Sequence, residues 1–440
     1  MARTRRALVL RAAALALAAL VACAPQSARR DGGRAARIVR FWGLGREGEV
    51  VKELVPEFER THPGIRVIVQ QIPWTAAHEK LLTGFVGGSP PDLAQLGNTW
   101  IPEFAAIGAL ERLDGRIAGS HALSPADYFE GIWKTNAFEG ATYGIPWYVD
   151  TRVLFYRPDV LKDAGYPKAP RTWSAWREAM LAIRGSARGS RYAILLPTNE
   201  WEQITILGVQ RRSPLLRTGD TRGAFSQPPF LAATEWYVGL FRDGLAPIVS
   251  YTQLGNPYQE FVRGYFAMWI TGPWNLGEFR RRLTPEQQGL WMTAPLPSPD
   301  SDSEWPGYSL AGGSSLAIFK ASRQTDAAWE LAEYLSQPAV QTRFYEMAGD
   351  LPARREAWDS ASLARDPKAR AFRVQLSRVE PMPRVPEWEQ IAQRLAEDLE
   401  PAIRGRQSVP AALSALDADV DRMLEKRRWM LARAQARRGR

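Results

Sequence analysis

The sequence is poor in the side chains on which disulfides, metal sites and nucleophilic enzymes depend. Its 440 residues include one cysteine and three histidines, so an intramolecular disulfide framework is excluded. The histidines form no H-x-x-x-H pair, and the sequence contains neither a G-x-S-x-G motif nor a phosphate-binding loop. We therefore expect no metal, no cofactor and no enzymatic activity.

Long apolar runs are also scarce, and the one clear example lies at the N-terminus. Residues 12–22 are uncharged and apolar, but a transmembrane helix needs about 20 such residues. Arginines precede this run, and the sequence LVAC ends it at Cys23, which resembles the lipobox of bacterial lipoproteins, where the cysteine is acylated. The alternative is that Cys23 is a small apolar residue of the signal core. We expect a lipoprotein signal peptide over 1–23 and a flexible tether over 24–36.

The positive charge is not gathered into a patch. The formal net charge is +10, but the basic residues are spread along the chain, which argues against nucleic-acid binding by an exported protein. The exception is the C-terminal stretch KRRWMLARAQARRGR, which we expect to be an exposed helix end or tail. After the tether, about 400 residues remain, and this length predicts two domains.

The apolar pattern alternates between strands and helices. RIVRFW (37–42) predicts a strand, GLGREGE predicts a loop, and the spacing of apolar residues over 51–58 predicts a helix before the strand IRVIVQQI. This order predicts an α/β domain with a mainly parallel sheet. Further along, residues 325–349 predict two helices that separate near Pro338, and Ser408 predicts the start of the last long helix.

Tryptophan is unusually abundant, with 17 residues. Several stand in segments that contain glycine or proline and that we expect to be loops: Trp42, Trp74, Trp100, Trp147, Trp201, Trp274 and Trp305. Aromatic side chains beside strand ends predict flat apolar surfaces in a ligand cleft.

Five fragments follow one another in the order typical of one protein family. They are IVRFWGLGREGEVVKELVPEFERTHPGIRVIVQ, GGSPPDLAQLGNTWIPEFAAIGALERLD, YGIPWYVDTRVLFYRPDVLKDAG, AMWITGPW and SLAGGSSLAIFKASRQTDAAWELAEYLSQPAVQTRFYEMAGDLPAR. They cover nearly all of the mature chain and resemble the family 1 extracellular solute-binding proteins of bacterial ABC importers, which include the maltose-binding proteins. The resemblance implies a two-lobe α/β periplasmic-binding-protein fold with a hinge and an interlobe ligand cleft. Lobe one is expected over 37–150 and 306–350, and lobe two over 151–305 and 351–440.

The resemblance also implies a function. The protein is expected to capture a di- or oligosaccharide in the cleft and to deliver it to the transmembrane subunits of an ABC permease. We expect a monomer in the periplasm or at the cell surface, held at the membrane by a lipid on Cys23. Such an anchor would keep the receptor near its importer, while the tether would leave it free to swing.

A saccharide site needs aromatic planes for the C–H faces of the rings and charged or amide groups for the hydroxyls. Side chains of both kinds follow expected strand ends or lie in the matching fragments, where the resemblance implies the cleft. The expected ligand-binding residues are Trp42, Glu47, Asn98, Trp100, Tyr148, Asp150, Glu200, Trp201, Gly272, Trp274, Gly312, Gly313 and Arg354. Structural alternatives remain open: Trp42 as a core anchor, Asp150 as a hinge residue and Arg354 as a surface arginine.

Two other functional classes also remain open. A secreted glycoside hydrolase would share the aromatic cleft and would need two carboxylates about 5–10 Å apart, for which Glu47, Asp150 and Glu200 are candidates. An importer receptor for a polyamine or for glycerol phosphate would need several cleft carboxylates in the first case, and arginines with helix N-termini in the second. The mixture of aromatic, acidic and amide side chains favours a neutral saccharide.

Overall fold

In the computed structural model, which describes residues 36–186 and 191–438, the chain forms two α/β lobes. Cys23, the predicted signal peptide and almost all of the predicted tether lie outside the described residues. Each lobe has its own sheet, so the predicted α/β class and the predicted division into two lobes are confirmed. We use "first lobe" for the elements around the larger sheet and "second lobe" for those around the smaller one.

The first lobe contains a six-stranded sheet. In spatial order its strands are Leu351–Pro352, Ile145–Asp150, Gly312–Ile318, Leu93–Gly97, Arg37–Leu44 and Ile65–Ile72. Arg37–Leu44 runs parallel to both of its neighbours, whereas Gly312–Ile318 is antiparallel to both of its own. The sheet is thus mixed rather than mainly parallel, because Gly312–Ile318 enters it on return from the second lobe.

The helix Gly45–Thr61 follows the first strand directly. Val51, Leu54 and Phe58 lie on its buried face, as their spacing predicts. The predicted loop GLGREGE is wrong, because the strand continues to Leu44 and the helix begins one residue later. Gly45 makes this abrupt change with a φ of +47°, a conformation that glycine adopts at little cost. The early start places residues 46 and 47 in the first turn of the helix.

The second lobe contains a four-stranded sheet. Its strands, in spatial order, are Met292–Ala294, Val153–Tyr156, Phe266–Thr271 and Tyr192–Leu195. Val153–Tyr156 is antiparallel to both of its neighbours, Met292–Ala294 and Phe266–Thr271, and Tyr192–Leu195 is parallel to Phe266–Thr271. Their side chains are almost wholly buried, because helices cover both faces.

Helices cover the sheets in both lobes. In the first lobe they are Gly45–Thr61, Trp74–Val86, Ile101–Ala106, Asp114–Gly119, Glu130–Lys134, Thr325–Leu335 and Pro338–Ala348. In the second lobe they are Pro158–Asp163, Trp173–Gly185, Glu202–Gln210, Pro228–Arg242, Pro257–Val262, Trp274–Arg282, Ala361–Ala364, Ala369–Gln375, Trp388–Ile403, Val409–Met423 and Glu425–Arg438. The break at Pro338 is confirmed, and so is the N-cap at Ser408, whose hydroxyl accepts a hydrogen bond from the Ala411 backbone N–H.

The hinge consists of short crossings that lie side by side. Thr151 and Arg152 join a strand of the first sheet to a strand of the second. The second crossing lies beside it, because Ser309 Oγ accepts a hydrogen bond from the Arg152 backbone N–H at 3.1 Å and donates one to the Arg152 carbonyl at 2.9 Å. Ser309–Leu310 also pairs in parallel with Val379–Glu380 of the second lobe. Short, paired crossings allow the lobes to rotate about one axis while each lobe stays rigid.

The first lobe extends beyond residue 350, where the sequence placed its end. Leu351–Pro352 adds an edge strand to the first sheet. Arg354 and Trp358 then pack onto the same lobe: Arg354 Nη1 donates a hydrogen bond to the Ala122 carbonyl at 2.9 Å, and the ring of Trp358 contacts Phe129. The chain therefore returns to the second lobe after these contacts.

Within the part of the chain that the structure describes, no helix combines the length and the apolar character needed to cross a bilayer.

Candidate ligand-binding site

A cavity of about 480 Å³ lies between the two lobes, within the usual range for a small-molecule site. Nine of the thirteen residues expected to bind ligand line this cavity: Glu47, Asn98, Trp100, Tyr148, Asp150, Trp201, Trp274, Gly312 and Gly313. Their role in binding stays a prediction. We call this cavity the cleft.

Glu47 forms a fixed acidic group on the first-lobe side of the cleft. It lies in the first turn of Gly45–Thr61, and Tyr148 Oη donates to its Oε1 at 2.8 Å, while Trp74 Nε1 donates at 3.2 Å. Gln95 supports the arrangement, because its Oε1 accepts from the Leu44 backbone N–H and its Nε2 reaches Tyr148 Oη at 3.1 Å. Burial raises the pKa of Glu47 above its ordinary value, although these hydrogen bonds oppose the shift.

Asp350 is a second first-lobe carboxylate, and it lacks a donor. Its side chain lines the cleft and is only 4% exposed, yet no described residue hydrogen-bonds to it. Burial raises its pKa well above the ordinary value, and the nearby carboxylates of Glu47 and Asp150 add to the shift. A buried polar group without a partner is costly, so this carboxyl is available for a ligand.

A charged cluster at the first hinge crossing lines the cleft beside the second lobe. Arg152 Nη2 donates to Glu202 Oε1 at 2.6 Å, and Nη1 lies 3.4 Å from Asp150 Oδ2. Burial raises the pKa of Asp150 to about 6, although the positive charge of Arg152 opposes the shift. The guanidinium carbon lies 4.5 Å from the centre of the Trp274 ring, so the cluster also fixes this ring by a cation–π contact.

Trp274 begins the helix Trp274–Arg282 directly after a strand. Gly272 lies under its ring: an added Cβ there would stand 1.9 Å from Trp274 Cζ3. Gly272 therefore does not line the cleft as expected, but its lack of a side chain allows the ring to lie where it does.

Aromatic rings from both lobes line the cleft. Trp74 and Trp100 belong to the first lobe, with ring centres 5.8 Å apart, and Trp201 and Trp274 belong to the second. Trp201 is held edge-on by the buried ring of Trp388 at 5.6 Å. The cleft thus offers flat apolar surfaces between carboxylates.

The arginines of the cleft are already paired. Arg46 bonds Glu49 at 2.8 Å, and Arg281 forms an ion pair with Glu278. Arg152 is paired with Glu202, as described above. Among the lining residues six carboxylates face three arginines, so an anionic ligand would find little free positive charge.

Three further residues expected to bind ligand do not line the cleft. Trp42 packs on the outer helix Trp74–Val86, where Lys80 Nζ lies 5.6 Å from its ring centre. Glu200 lies behind the cleft, bonded by Gln203, and burial beside Glu202 raises its pKa to about 7. Arg354 is neither in the cleft nor at the surface: it is 7% exposed and lies in the first lobe, with Nη2 3.2 Å from Asp127.

Trp147 is also not a cleft residue. It is fully buried beside Phe344, with ring centres 4.4 Å apart. Neighbouring residues of a strand point to opposite faces, so Tyr148 faces the cleft and Trp147 faces the core.

Sequence analysis missed several lining residues: Arg46, Thr99, Arg152, Glu202, Glu278, Arg281, Ser314, Asp350 and Glu389. A signal existed for Arg152, which stands two residues after the expected Asp150. None existed for Glu389, which belongs to the second lobe and whose pKa is raised by burial. No group of His, Cys, Asp and Glu within the described residues could hold a metal ion.

Two lobes with separate sheets, a paired hinge and a lined cleft between them define the class of bilobal ligand-binding proteins. Residues 42–342 match the family model described as bacterial extracellular solute-binding protein, and the chain belongs to this family.

Solved and curated relatives agree with this assignment. The sugar-binding protein MalE from Xanthomonas citri is 50% identical, with a TM-score of 0.84 over 90% of this chain and 99% of that one. The diacetylchitobiose binding protein DasA of Streptomyces coelicolor is 25% identical, over 76% of this chain and 77% of its own. The galactooligosaccharide-binding protein of Bacillus subtilis is 23% identical, over 84% and 86%.

Proposed function

We propose that this protein is the extracytoplasmic receptor of an ABC sugar importer, which binds a di- or oligosaccharide in the cleft and delivers it to the permease. The observation that carries the proposal is the pairing of tryptophan rings from both lobes with carboxylates in one cavity. Trp274 and Trp100 would cover the apolar ring faces, while Glu47, Asp150 and Asp350 would accept hydrogen bonds from hydroxyls.

The charge of the cleft favours this ligand over glycerol phosphate, one of the importer substrates that the sequence left open. Glycerol phosphate would need free cations, but Arg46, Arg152 and Arg281 are each engaged by a carboxylate. A polyamine would suit the excess of acid, and it therefore belongs in the same test. The names of the relatives, which refer to sugars and oligosaccharides, support the saccharide.

A thermal-shift panel of saccharides, polyamines and glycerol phosphate tests the proposal. A ligand that binds only the folded protein raises the melting temperature, by an amount that grows with its concentration relative to Kd. We expect a shift with one or a few di- or oligosaccharides and none with the other two classes. A shift with a polyamine alone would refute the saccharide proposal.

The same purified protein tests for catalysis. We propose binding without turnover, in keeping with the family. Incubation with the saccharide that gives the largest shift should leave it intact, as followed by chromatography. Steady release of smaller sugars would instead establish a glycoside hydrolase.

We further propose that a lipid on Cys23 holds the receptor at the membrane, in the periplasm or at the cell surface, and that it works as a monomer. The support is the LVAC sequence after an apolar run. In a bacterial host, Cys23→Ser should abolish incorporation of a fatty-acid analogue, whereas the wild type is labelled. Labelling of the variant would contradict the anchor.

We also propose lobe boundaries that follow the sheets. The first lobe comprises 37–150 together with a segment from 312 to about 358, and the second comprises 151–305 and the remainder. These bounds keep the sequence-based division at residue 150, move the second crossing from 306 to 312, and move the last one from 350 to about 358.

A further inference from the structure

The C-terminal helix Glu425–Arg438 has no part in the cleft. Its sequence EKRRWMLARAQARR holds six basic residues and one acidic residue, a net charge of +5 in 14 residues. We call it the C-terminal helix. It follows the last long helix of the second lobe, from which it is separated by the buried Leu424.

One side of this helix is fixed to the second lobe. Arg428 Nη1 donates a hydrogen bond to the Thr221 carbonyl at 2.8 Å, and its Nη2 donates to the Asp421 carbonyl at 2.6 Å. These two bonds, together with Leu424, set which side of the helix is turned outward.

The outward side carries an unusual stripe. Lys426, Trp429, Met430 and Arg433 are spaced at i, i+3, i+4 and i+7, so they share one helix face. Trp429 is 57% exposed and Met430 is 46% exposed, although such a stripe normally packs against a core. The guanidinium carbon of Arg433 lies 4.5 Å from the centre of the Trp429 ring.

We propose that this face docks onto an anionic phospholipid surface. Lys426 and Arg433 would contact lipid phosphates, while Trp429 and Met430 would enter the interface between headgroups and acyl chains. Tryptophan favours this interface because its ring is apolar and its N–H is polar. Basic residues on a helix with exposed aromatic and aliphatic side chains are typical of such surface helices.

A membrane is favoured over an acidic protein or nucleic acid by the combination of the two kinds of side chain. A purely electrostatic partner would leave the exposed Trp429 and Met430 without a role. The lipid proposed on Cys23 would bring this face near a bilayer, and the helix would then restrict how the tethered receptor is oriented. A single short helix binds weakly, so it would act together with the anchor.

Co-sedimentation with vesicles tests the inference. Residues 24–440 retain the whole described fold and lack the proposed lipidation site, so any binding must come from the protein surface. We expect binding to phosphatidylcholine vesicles that contain phosphatidylglycerol, no binding to pure phosphatidylcholine, and release at high salt, since salt screens the charges.

Two matched variants locate the effect. Lys426→Glu with Arg433→Glu should lower binding to the anionic vesicles roughly tenfold or more. The control changes two exposed arginines of the second lobe that form no ion pair with any described residue, Arg365→Glu with Arg370→Glu, and it makes the same change in net charge. This control should bind nearly as well as the unmodified protein.

A third variant addresses the apolar contribution. Trp429→Ala should weaken binding without changing the net charge. The inference is overturned if the unmodified protein fails to bind anionic vesicles, if it binds both lipids equally, or if the two charge-reversed variants lose binding to the same extent. The inference is also overturned if both charge-reversed variants keep full binding to the anionic vesicles. The melting temperature of each variant is measured first. It should equal that of the unmodified protein, because the substituted side chains are exposed.

Discussion

At the scale of single residues, the account depends most on Trp274. Its ring is partly exposed in the cleft and held by Arg152, whereas Trp269, five residues earlier in the adjoining strand, is fully buried. Trp274→Ala should reduce affinity for the identified saccharide by about 2 kcal/mol, as for an aromatic anchor of a binding site. The melting temperature of the ligand-free protein should change little.

Trp269→Ala is the matched control. Removing a buried aromatic side chain should cost about 3–5 kcal/mol of unfolding free energy. Calorimetric titration and thermal melting separate the two effects. If Trp274→Ala melts early but binds normally, Trp274 is a core residue and the site is misplaced.

Replacing Asp350 should stabilise the ligand-free protein, whereas replacing the buried Trp269 should destabilise it. Asp350→Asn should weaken saccharide binding by about 0.5–1.5 kcal/mol, the usual range for a hydrogen bond between neutral groups, because burial raises the pKa of this carboxyl and disfavours its charged form. It should also stabilise the ligand-free protein, because it removes a buried carboxyl that lacks a partner.

The stabilisation should depend on pH. The pKa of Asp350 is raised on folding, so the folded state retains a proton that the unfolded state loses. The wild-type free energy of unfolding therefore decreases as pH rises above about 4, and the advantage of Asp350→Asn grows in the same direction. Chemical denaturation of the wild type and of Asp350→Asn at several pH values measures the two free energies of unfolding and their difference.

Asp92→Asn is the control for this variant. Asp92 is also buried, but its oxygens accept from the Arg40 backbone N–H at 2.8 Å and from Ser322 Oγ at 2.6 Å. Its replacement should destabilise the protein at neutral pH. A loss of stability in Asp350→Asn as well would mean that Asp350 has a structural partner.

Residue-scale prediction from sequence worked where a strand end was visible. Trp100, Trp201 and Trp274 follow strands, and all three line the cleft. It failed where the decision depends on which face of a strand is covered, as for Trp147, which faces the core while its neighbour Tyr148 faces the cleft. It also failed for Asp350, since nothing local distinguishes a carboxylate facing a cleft from one at the surface.

At the scale of elements, the helix Trp274–Arg282 of the second lobe lies against the end of Pro338–Ala348 in the first. Gly277 makes this close approach possible, because an added Cβ would stand 2.5 Å from the Ala348 carbonyl oxygen. Gly277→Ala should force the two elements apart, because overpacking usually costs about 1–3 kcal/mol. If the bound state keeps this contact, saccharide affinity should fall by a similar amount.

Gly239→Ala is a suitable control. Gly239 also lies inside a helix, but an added Cβ there meets nothing within 4 Å. It should stabilise the protein by up to about 1 kcal/mol and leave affinity unchanged. Normal binding by Gly277→Ala in the same calorimetric titration would show that this contact is not part of the bound state.

Element-scale prediction was better than residue-scale prediction. The helical spacing over 51–58, the break at Pro338 and the N-cap at Ser408 are local signals, and the structure agrees with all three. The loop predicted at GLGREGE was wrong, because glycine permits a direct turn from strand to helix as well as a loop. The antiparallel return of Gly312–Ile318 depends on chain crossings that no local pattern encodes.

At the scale of the whole molecule, the paired crossings predict lobe closure. A ligand that contacts both lobes favours the closed arrangement by its differential contacts. Small-angle scattering should therefore show a smaller radius of gyration when the saccharide saturates the protein. Trp274→Ala at the same ligand concentration should show a weaker change. An unchanged radius for the saturated wild type would contradict closure.

The central claim is that a saccharide binds in the cleft between the lobes, and a crystal structure of the complex tests it most directly. The account predicts electron density for an intact saccharide between the lobes, with a ring face against Trp274. Its hydroxyls should lie about 2.7–3.2 Å from carboxylate oxygens of Glu47, Asp150 or Asp350. A saccharide bound elsewhere while the cleft stays empty would contradict the account.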